Sequence, residues 1–284
     1  MEGRLSMEQQ EQCVLQQLDG ITFRVKKTYD FGFLRKYGRV FQVFDDQDSG
    51  NICFGVENSK ERLFIKFAGA ETLRYEGAPE DAVRRLKSTV PIYQKLRHRT
   101  LISFLGAEAV GSGFALIFRW TDAVCMGRMY PEARERFLTL PLEKKQRIFR
   151  DVLDFLEYTA SQGYAAVDFY DGSILYDFRR EETVICDIDF FRMSPFVNDM
   201  GRMWGSSLFM SPEEFALDAR IDEVTNVYTA GAVAFALLAE FRREEEHWPL
   251  STASWQVAAR AVSPERELRQ QSIREFIAEW EASL

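Results

Sequence analysis

Histidine, cysteine and long apolar runs are all scarce in this chain of 284 residues. The two histidines, His98 and His247, argue against most zinc sites and against nucleophiles that are activated by histidine. The four cysteines include no pair with CxxC spacing, so we expect reduced thiols rather than a zinc ribbon or a redox motif. The longest apolar stretch, residues 229–239, is far shorter than the ~20 residues that a membrane span needs.

Acidic residues outnumber basic ones, 44 to 36, which gives a formal net charge of -8. This balance argues against nucleic acid or an anionic membrane as the main partner. Hydrophobic residues make up 46% and charged residues 28%, as in ordinary globular proteins. The N-terminus lacks the apolar core of a signal peptide. We therefore expect a cytoplasmic globular protein, and the sequence leaves its oligomeric state open.

The pattern of apolar residues changes along the chain and predicts an α+β fold. Residues 1–20 are polar and Gln-rich, and we expect an N-terminal arm or helix there. Residues 21–119 alternate between apolar and polar side chains, which predicts a small antiparallel sheet, interrupted by one helix at 79–97 that Pro91 breaks or kinks. Residues 120–284 are mainly helical, with an amphipathic helix at 141–161 and two short strands at 173–177 and 183–189.

Three charged residues stand in positions that suit chemistry. Lys66 lies within the apolar strand LFIKFAG, where a solvated lysine is the ordinary interpretation. Asp168 and Asp187 each follow an apolar strand-like run, and a short hairpin joins the two loops. Two such carboxylates can meet at one site and serve a divalent metal and a general base. Each aspartate alone is more often a turn residue or a helix cap. The segment DDQDSGN at 45–51 lacks the glutamate of a calcium loop and predicts a hairpin turn.

The order of several motifs resembles the protein kinase family, in the form of a divergent bacterial serine/threonine protein kinase, over about residues 23–282. The matching segments are LFIK (63–66) for VAIK, LRHRTLISFLGA (96–107), FRW (118–120) at the hinge, AVD (166–168) for His-Arg-Asp, DID (187–189) for Asp-Phe-Gly, GSSLFMSPE (205–213) for the docking segment, and NVYTAG (226–231) for the central helix. The resemblance implies a two-lobed fold with an N lobe at 21–119 and a C lobe at 120–284.

The resemblance also implies phosphoryl transfer from ATP, with Mg²⁺, to a Ser or Thr hydroxyl. Lys66 would hold the α- and β-phosphates, Asp187 would ligate Mg²⁺, and Asp168 would orient the hydroxyl and accept its proton. The other implied nucleotide contacts are Gly38 and Val40 of the Gly-rich loop, Phe118 at the back pocket, and the hinge residues Arg119, Trp120 and Thr121.

The docking segment favours a protein substrate. By the resemblance, Ser206 is the hydroxyl placed against the catalytic aspartate, and Glu213 pairs with the structural Arg269. Asp189 stands at the glycine position after Asp187, where it would be an additional metal ligand. Ser173, which replaces the metal-binding asparagine, would offer its hydroxyl.

The departures from the family pattern leave more than one function open. FLRKYGRV keeps one of three glycines, Val90 stands where the helix glutamate should clamp Lys66, and Tyr170 replaces a lysine near Asp168. Two further replacements are Val167 for the arginine before the catalytic aspartate and Asn226 for an anchoring aspartate. An active protein kinase, a pseudokinase that acts as a nucleotide-binding or regulatory module, and a small-molecule kinase of the aminoglycoside phosphotransferase type remain alternatives.

Overall fold

The computed structural model describes residues 13–284 and has an α+β fold with small antiparallel sheets and seven α-helices in that range. Contacts divide it into two compact units. The first contains the described chain up to Gln94 together with Ile102–Thr121, and the second contains Lys95–Leu101 and Asp122–Leu284. The segment Lys95–Leu101 therefore belongs with the second unit, whereas the sequence prediction placed it in the first lobe.

The first unit is built on one antiparallel sheet of five strands in the order β3-β4-β5-β7-β6, with a separate two-stranded hairpin, β1-β2. Its elements are β1 Val14–Leu18, β2 Ile21–Val25, β3 Arg39–Phe44, β4 Asn51–Glu57, β5 Arg62–Ala68, α1 Pro79–Ser88, α2 Val90–Lys95, β6 Phe104–Val110 and β7 Gly113–Arg119. The predicted hairpin turn at 45–51 is confirmed, because residues 45–50 join β3 to β4.

Alternation along β5 determines which side chains face the core of the first unit. Leu63, Ile65 and Phe67 are buried in one apolar cluster, while Phe64 and Lys66 point to the opposite face and are half-buried. Side chains of a strand alternate between the two faces of a sheet, so this one strand supplies both the core and the lysine.

The helix predicted at 79–97 is broken, as the proline indicated. Helix α1 ends at Ser88 and α2 begins at Val90, with Thr89 between them. Pro91 has no N–H to continue the α1 hydrogen-bond ladder, and the Thr89 hydroxyl instead donates to the carbonyl oxygen of Leu86 at 2.8 Å. The break keeps α1 and α2 as two short helices.

The N-terminal arm falls partly outside the described residues, since residues 1–12 are not covered. Val14–Leu18 forms strand β1, paired with β2, and not a helix. The Gln16 side chain accepts from the N–H of Tyr29 at 3.2 Å and donates to its carbonyl. These polar pairings explain why a Gln-rich segment with little apolar periodicity is ordered as a strand.

The second unit is mainly helical and carries three small sheets. Its elements are β8 Val124–Cys125, α3 Pro131–Leu138, α4 Leu142–Ser161, β9 Tyr164–Ala165, β10 Ile174–Asp177, β11 Glu182–Ile185, β12 Arg192–Met193, β13 Phe196–Val197, β14 Arg220–Ile221, α5 Glu223–Leu238, α6 Thr252–Ala261 and α7 Ile273–Ser283. Strands β8, β10 and β11 form one sheet, β9 pairs with β12, and β13 pairs with β14.

Helix α5 is the core of the second unit, with every residue after Glu223 buried. Helices α4, α6 and α7 pack against it. The aromatic side chains of Phe149, Phe276 and Trp280 fill the interface between α4 and α7, with ring centroids 4.9 to 6.4 Å apart. None of the helices within residues 13–284 combines the length and the apolar composition required to cross a membrane.

The sheet register separates Gly38 and Val40, the predicted nucleotide contacts, from Lys66 along the strands. Gly38 lies opposite Glu57, and Val40 pairs with Val56, whereas Lys66 pairs with Cys53. Glu57 pairs with Arg62, which is four residues before Lys66 in β5. The backbone positions of Arg62 and Lys66 are therefore about 13 Å apart along the strand. The turn at the Lys66 end of the sheet is 45–50, and its glycine is Gly50 (φ +76°).

We predict that Gly38→Ala destabilises the protein by roughly 2 kcal/mol or more. Gly38 has φ +142°, and an added Cβ would lie 2.1 Å from the carbonyl oxygen of Glu57. The matched control is Gly106→Ala in the same sheet, where a Cβ meets no atom within 4 Å. Urea unfolding of both variants measures the effect. A loss of equal size in both variants would contradict the assigned structural role.

Candidate functional site

The candidate residues are divided between the two units. Lys66 and the predicted hinge residues lie in the first unit, while Asp168 and Asp187 lie in the second. Lys66 is the fifth residue of β5 and pairs with Cys53 on β4 and Leu116 on β7. It therefore lies on the middle strand of the sheet, where its backbone position is held from both sides.

Aromatic rings cover the sheet face that carries Lys66. The ring of Phe64 lies 5.8 Å from that of Phe44 and 6.4 Å from that of Trp120. Trp120 in turn has its ring 4.8 Å from Phe41. A side chain at Gly55 would overlap both Phe41 and Trp120, so this glycine permits the close packing. The sequence alone did not predict this aromatic cluster. Its one indication is that Phe64 of LFIK replaces the small alanine of the VAIK motif.

Two backbone donors of the predicted hinge, the N–H groups of Arg119 and Trp120, form hydrogen bonds within the first unit. The N–H of Arg119 donates to the carbonyl of Ser103 at 2.9 Å, and that of Trp120 to the carbonyl of Arg62 at 3.0 Å. Phe118 is buried, with its ring 4.9 Å from Tyr93. The first bond extends the β6–β7 pairing and the second extends the β5–β7 pairing, so neither N–H is available for the adenine contact that the resemblance implies.

The carboxylates of Asp168 and Asp187 both lie near Tyr170. Burial raises the pKa of the Tyr170 hydroxyl, and the nearby carboxylates of Asp187 and Asp168 raise it further. Both aspartates have left-handed backbone, with φ +59° at Asp168 and φ +55° at Asp187. Aspartate tolerates the left-handed region better than most residues do. This conformation is nevertheless uncommon for residues other than glycine, and it often marks a constrained loop.

The loops that carry the two aspartates are joined by a backbone hydrogen bond. The N–H of Cys186 donates to the carbonyl of Ser173 at 3.0 Å. Ser173 directly precedes β10, and Cys186 directly follows β11, the strand that pairs with β10. Ser173 is fully buried, and its hydroxyl oxygen has no hydrogen-bond partner among residues 13–284. A buried polar atom without a partner calls for an explanation, and a ligand is one.

Magnesium suits this arrangement in its donor chemistry. Within the described residues there is no cluster of three or more His, Cys, Asp or Glu side chains that could hold a metal. Magnesium, however, usually keeps several waters and binds through one or two carboxylates plus substrate phosphates. Asp187 with the Ser173 hydroxyl fits that requirement. The position of Asp189, two residues further along, remains a prediction as a ligand.

Asn226 holds the loop that precedes Asp168. Its amide oxygen accepts the N–H of Ala166 at 2.7 Å, and its amide nitrogen donates to the carbonyl of Tyr164 at 3.1 Å. Asn226 is 1% exposed, so both bonds are formed away from water. The asparagine that departs from the kinase pattern therefore satisfies a donor and an acceptor at once, which an ionised aspartate cannot do.

An ion pair that was not foreseen supports the same loop from the other side. Arg134 of α3 donates to the carbonyl of Met126 at 3.0 Å and to the Asp171 carboxylate at 3.4 Å. Burial raises the pKa of Asp171, and the nearby guanidiniums of Arg134 and Arg128 oppose this shift. The sequence gives no signal for this ion pair, because Arg134 and Asp171 are 37 residues apart and α3 has the composition of an ordinary surface helix.

The docking segment is fixed by a buried ion pair. Arg269 donates from Nη1 to Oε1 of Glu213 at 2.8 Å and from Nη2 to Oε2 at 3.0 Å, so the resemblance correctly paired these two residues. Burial would raise the pKa of Glu213, but the hydrogen bonds and charge of Arg269 outweigh it, and the pKa lies below its usual value. A Cβ at Gly205 would lie 3.7 Å from Oδ1 of Asp168, so this segment's backbone approaches the aspartate. Ser206 is the next residue along.

Glu214, the neighbour of Glu213, is a buried acid that the sequence did not single out. Its Oε2 accepts from the N–H of Ser211 at 2.7 Å and from the Ser211 hydroxyl at 2.9 Å. Burial raises the pKa of Glu214 to about 7, and these two bonds only partly counter the effect. The carboxyl therefore titrates close to neutral pH.

We predict that Asn226→Asp and Asn226→Ala each lower the free energy of unfolding by about 2–4 kcal/mol. The carboxylate of the first variant would face the carbonyl oxygen of Tyr164, and the second variant leaves both backbone groups without a partner. Chemical denaturation measures both effects. If Asn226→Asp were as stable as wild type, the hydrogen bond to the carbonyl of Tyr164 would contribute nothing to the free energy of unfolding.

We predict that the stability difference between wild type and Glu214→Gln depends on pH. The folded pKa of about 7 lies above the unfolded value near 4.5, so the folded state binds more protons in this window and wild-type stability falls as pH rises from about 4.5 to 7. Glutamine keeps an acceptor for Ser211 and does not titrate. When the pH is raised from 5 to 8, the free energy of unfolding of wild type should fall relative to that of Glu214→Gln. A pH-independent difference would refute the assignment.

Comparisons with known proteins support a kinase-like relationship. None of the family models searched matches the chain. The chain is 26% identical over 116 residues to "Kinase suppressor of Ras 2" of Homo sapiens and, with the same figures, of Mus musculus. The matched region makes up 40% of this chain and only 12% of each relative. The similarity supports a distant relation to kinase-like proteins and does not distinguish a bacterial branch of the family.

Proposed function

We propose that the chain is a divergent protein kinase that transfers the γ-phosphoryl group of ATP to a Ser or Thr hydroxyl of a protein. The observation that carries the proposal is the proximity of the backbone of Gly205 to the Asp168 carboxylate, together with the presence of both Asp168 and Asp187 near Tyr170. Acidic groups beside a docking segment suit a reaction in which one carboxylate takes the hydroxyl proton. The similarity to "Kinase suppressor of Ras 2" supports a kinase-like relationship, and phosphoryl transfer is the part of the proposal that goes beyond it.

In the proposed reaction, each residue has a positional or electrostatic task. Bound ATP with Mg²⁺ would supply the phosphoryl group and neutralise its charge. Lys66 would bind phosphate oxygens, and Asp187 with the Ser173 hydroxyl would hold the metal. Asp168 would accept the proton from the attacking hydroxyl. Tyr170 is a ring where the family pattern has a lysine, so it supplies no positive charge during transfer.

A protein substrate suits the docking segment better than a small alcohol. Glu213 is anchored by Arg269, and Arg202 donates to the carbonyls of Met203 and Gly205 at 3.2 Å each. The exposed apolar side chains nearby in sequence are Trp204, Leu208, Phe215 and Leu217. A rigid backbone with exposed apolar side chains can bind an extended peptide.

A second candidate function is a pseudokinase that binds partners without transferring phosphate. The rings of Phe64 and Trp120 on the Lys66 face favour it, because they occupy volume on the face where the resemblance implies nucleotide binding. Val90, buried to an intermediate degree at the predicted clamp position, cannot pair with Lys66 by charge. This candidate predicts that phosphoryl transfer is absent although the protein is folded.

The two candidates differ in one measurement, transfer of radiolabelled phosphate. We predict that wild type with Mg-ATP labels itself or a generic protein substrate and that Asp168→Asn lowers the rate about 10²–10⁴-fold, as expected for loss of a general base. Binding is measured separately by thermal unfolding, where saturating Mg-ATP should stabilise wild type but neither Lys66→Ala nor Asp187→Ala.

Matched controls are Lys60→Ala and Asp199→Asn, both exposed residues whose loss should leave binding and transfer unchanged. Stabilisation by Mg-ATP without any transfer would favour the pseudokinase. Transfer to small alcohols but not to protein would favour the small-molecule kinase. If Mg-ATP neither stabilises wild type nor supports phosphoryl transfer, the nucleotide-dependent proposal is rejected.

A further inference from the structure

A pocket outside the proposed reaction residues lies in the second unit beside the β10–β11 turn. Its volume is about 160 Å³, and the residues that line it are Asp122, Val124, Arg136, Asp177, Phe178, Arg179 and Arg180. Pockets for drug-sized ligands are typically about 300–1,000 Å³. This pocket is therefore large enough for one charged head group and too small for a nucleotide.

Three guanidiniums line this pocket, and none of them takes part in an ion pair within residues 13–284. Arg136, Arg179 and Arg180 are exposed, in contrast to Arg99 and Arg260, which each bridge two carboxylates. Three cations held close together repel one another, so an anion between them lowers the electrostatic energy.

The turn that presents two of these arginines is rigid. The buried carboxylate of Asp177 accepts the backbone N–H of Arg179 and of Arg180, both at 2.9 Å, and the N–H of Glu181 donates to the carbonyl of Asp177 at 2.7 Å. Glu181 is itself held by an ion pair with Lys144. The Asp177 carboxylate therefore binds the backbone of the turn, while the side chains of Arg179 and Arg180 are exposed.

The third arginine is oriented by an aromatic ring. The guanidinium carbon of Arg136, on α3, lies 4.2 Å from the centroid of the Phe178 ring. Such stacking fixes the plane of a guanidinium and leaves the N–H groups at its edge able to donate to an oxyanion. The Phe178 ring and Val124 add an apolar wall that suits the methylene or methyl group of a side chain carrying that anion.

We propose that this arginine pocket, formed by Arg136, Arg179 and Arg180, binds the phosphate of a phosphoserine or phosphothreonine side chain on a partner protein. Guanidiniums that line one pocket can bind phosphate oxygens through paired N–H groups and positive charge, and a phosphate monoester carries nearly two negative charges at pH 7. The three guanidiniums attract a dianion more strongly than the single charge of a carboxylate ligand, and the Asp122 carboxylate, which also lines the pocket, weakens the attraction for both. The proposal does not depend on phosphoryl transfer by this chain.

The test is titration of the full chain with a fluorescent peptide that carries one central phosphoserine. We expect saturable binding, at least tenfold weaker in Arg136→Ala and in Arg179→Ala, and unchanged in Arg150→Ala, an exposed arginine on α4 outside the pocket. Asp122→Asn should bind the phosphopeptide several-fold more tightly. These exposed positions permit substitution without loss of the fold, which circular dichroism verifies.

Two further ligands separate the proposal from its alternatives. The same peptide with serine or glutamate in place of phosphoserine should bind at least tenfold more weakly than the phosphopeptide. Inorganic phosphate should compete with the phosphopeptide. Equal binding of the glutamate peptide, phosphopeptide binding that is unaffected by the arginine substitutions, or binding of inorganic phosphate without any binding of the phosphopeptide would each overturn the proposal.

Discussion

The ion pair between Glu213 and Arg269 is the interaction on which the second unit depends. Both side chains are buried, and transferring two charges from water costs several kcal/mol for each ion unless hydrogen bonds replace the lost water. Those bonds come from distant parts of the chain. Arg269 also donates to the carbonyl of Ser263 at 2.7 Å, and Glu213 also accepts from Arg266 and from the Thr225 hydroxyl. The docking segment, the loop before α7 and the first turn of α5 are thereby fixed to one another.

That first turn of α5 also explains how the Asp168 loop is held. Thr225 bonds to Glu213, and the next residue, Asn226, bonds to the backbone on both sides of Ala165. Two consecutive residues of one buried helix therefore position the docking segment and the loop that leads to Asp168. A loop with left-handed backbone at Asp168 is stable only if its surroundings hold it. The structure provides this restraint without the aspartate that the kinase pattern has at position 226.

Local patterns in the sequence were sufficient for some features and not for others. Alternation around Lys66 predicted its strand, and Pro91 predicted the helix break, because both depend on neighbouring residues. Gly38 was assigned to a nucleotide loop from a motif of eight residues, but the pairing of Arg39 with Glu57 puts it at the opposite end of the sheet from Lys66. Register depends on residues far apart in the chain. Burial of Glu214 also depends on tertiary packing, so its raised pKa had no sequence signal.

The two units constrain the proposed chemistry in different ways. In the second unit, Asp168 would supply the proton acceptor of the proposed reaction, and Asp187 with the buried Ser173 hydroxyl would supply its metal ligands. In the first unit, Phe64 projects from the same face as Lys66, and its packing with Trp120 leaves less room than a small side chain would. A purine that approaches this face has to stack on rings rather than enter beneath them, and aromatic faces permit such stacking. For the proposed function, we therefore expect the Lys66 face to limit nucleotide affinity, and the acidic residues and the uncharged Tyr170 to limit phosphoryl transfer.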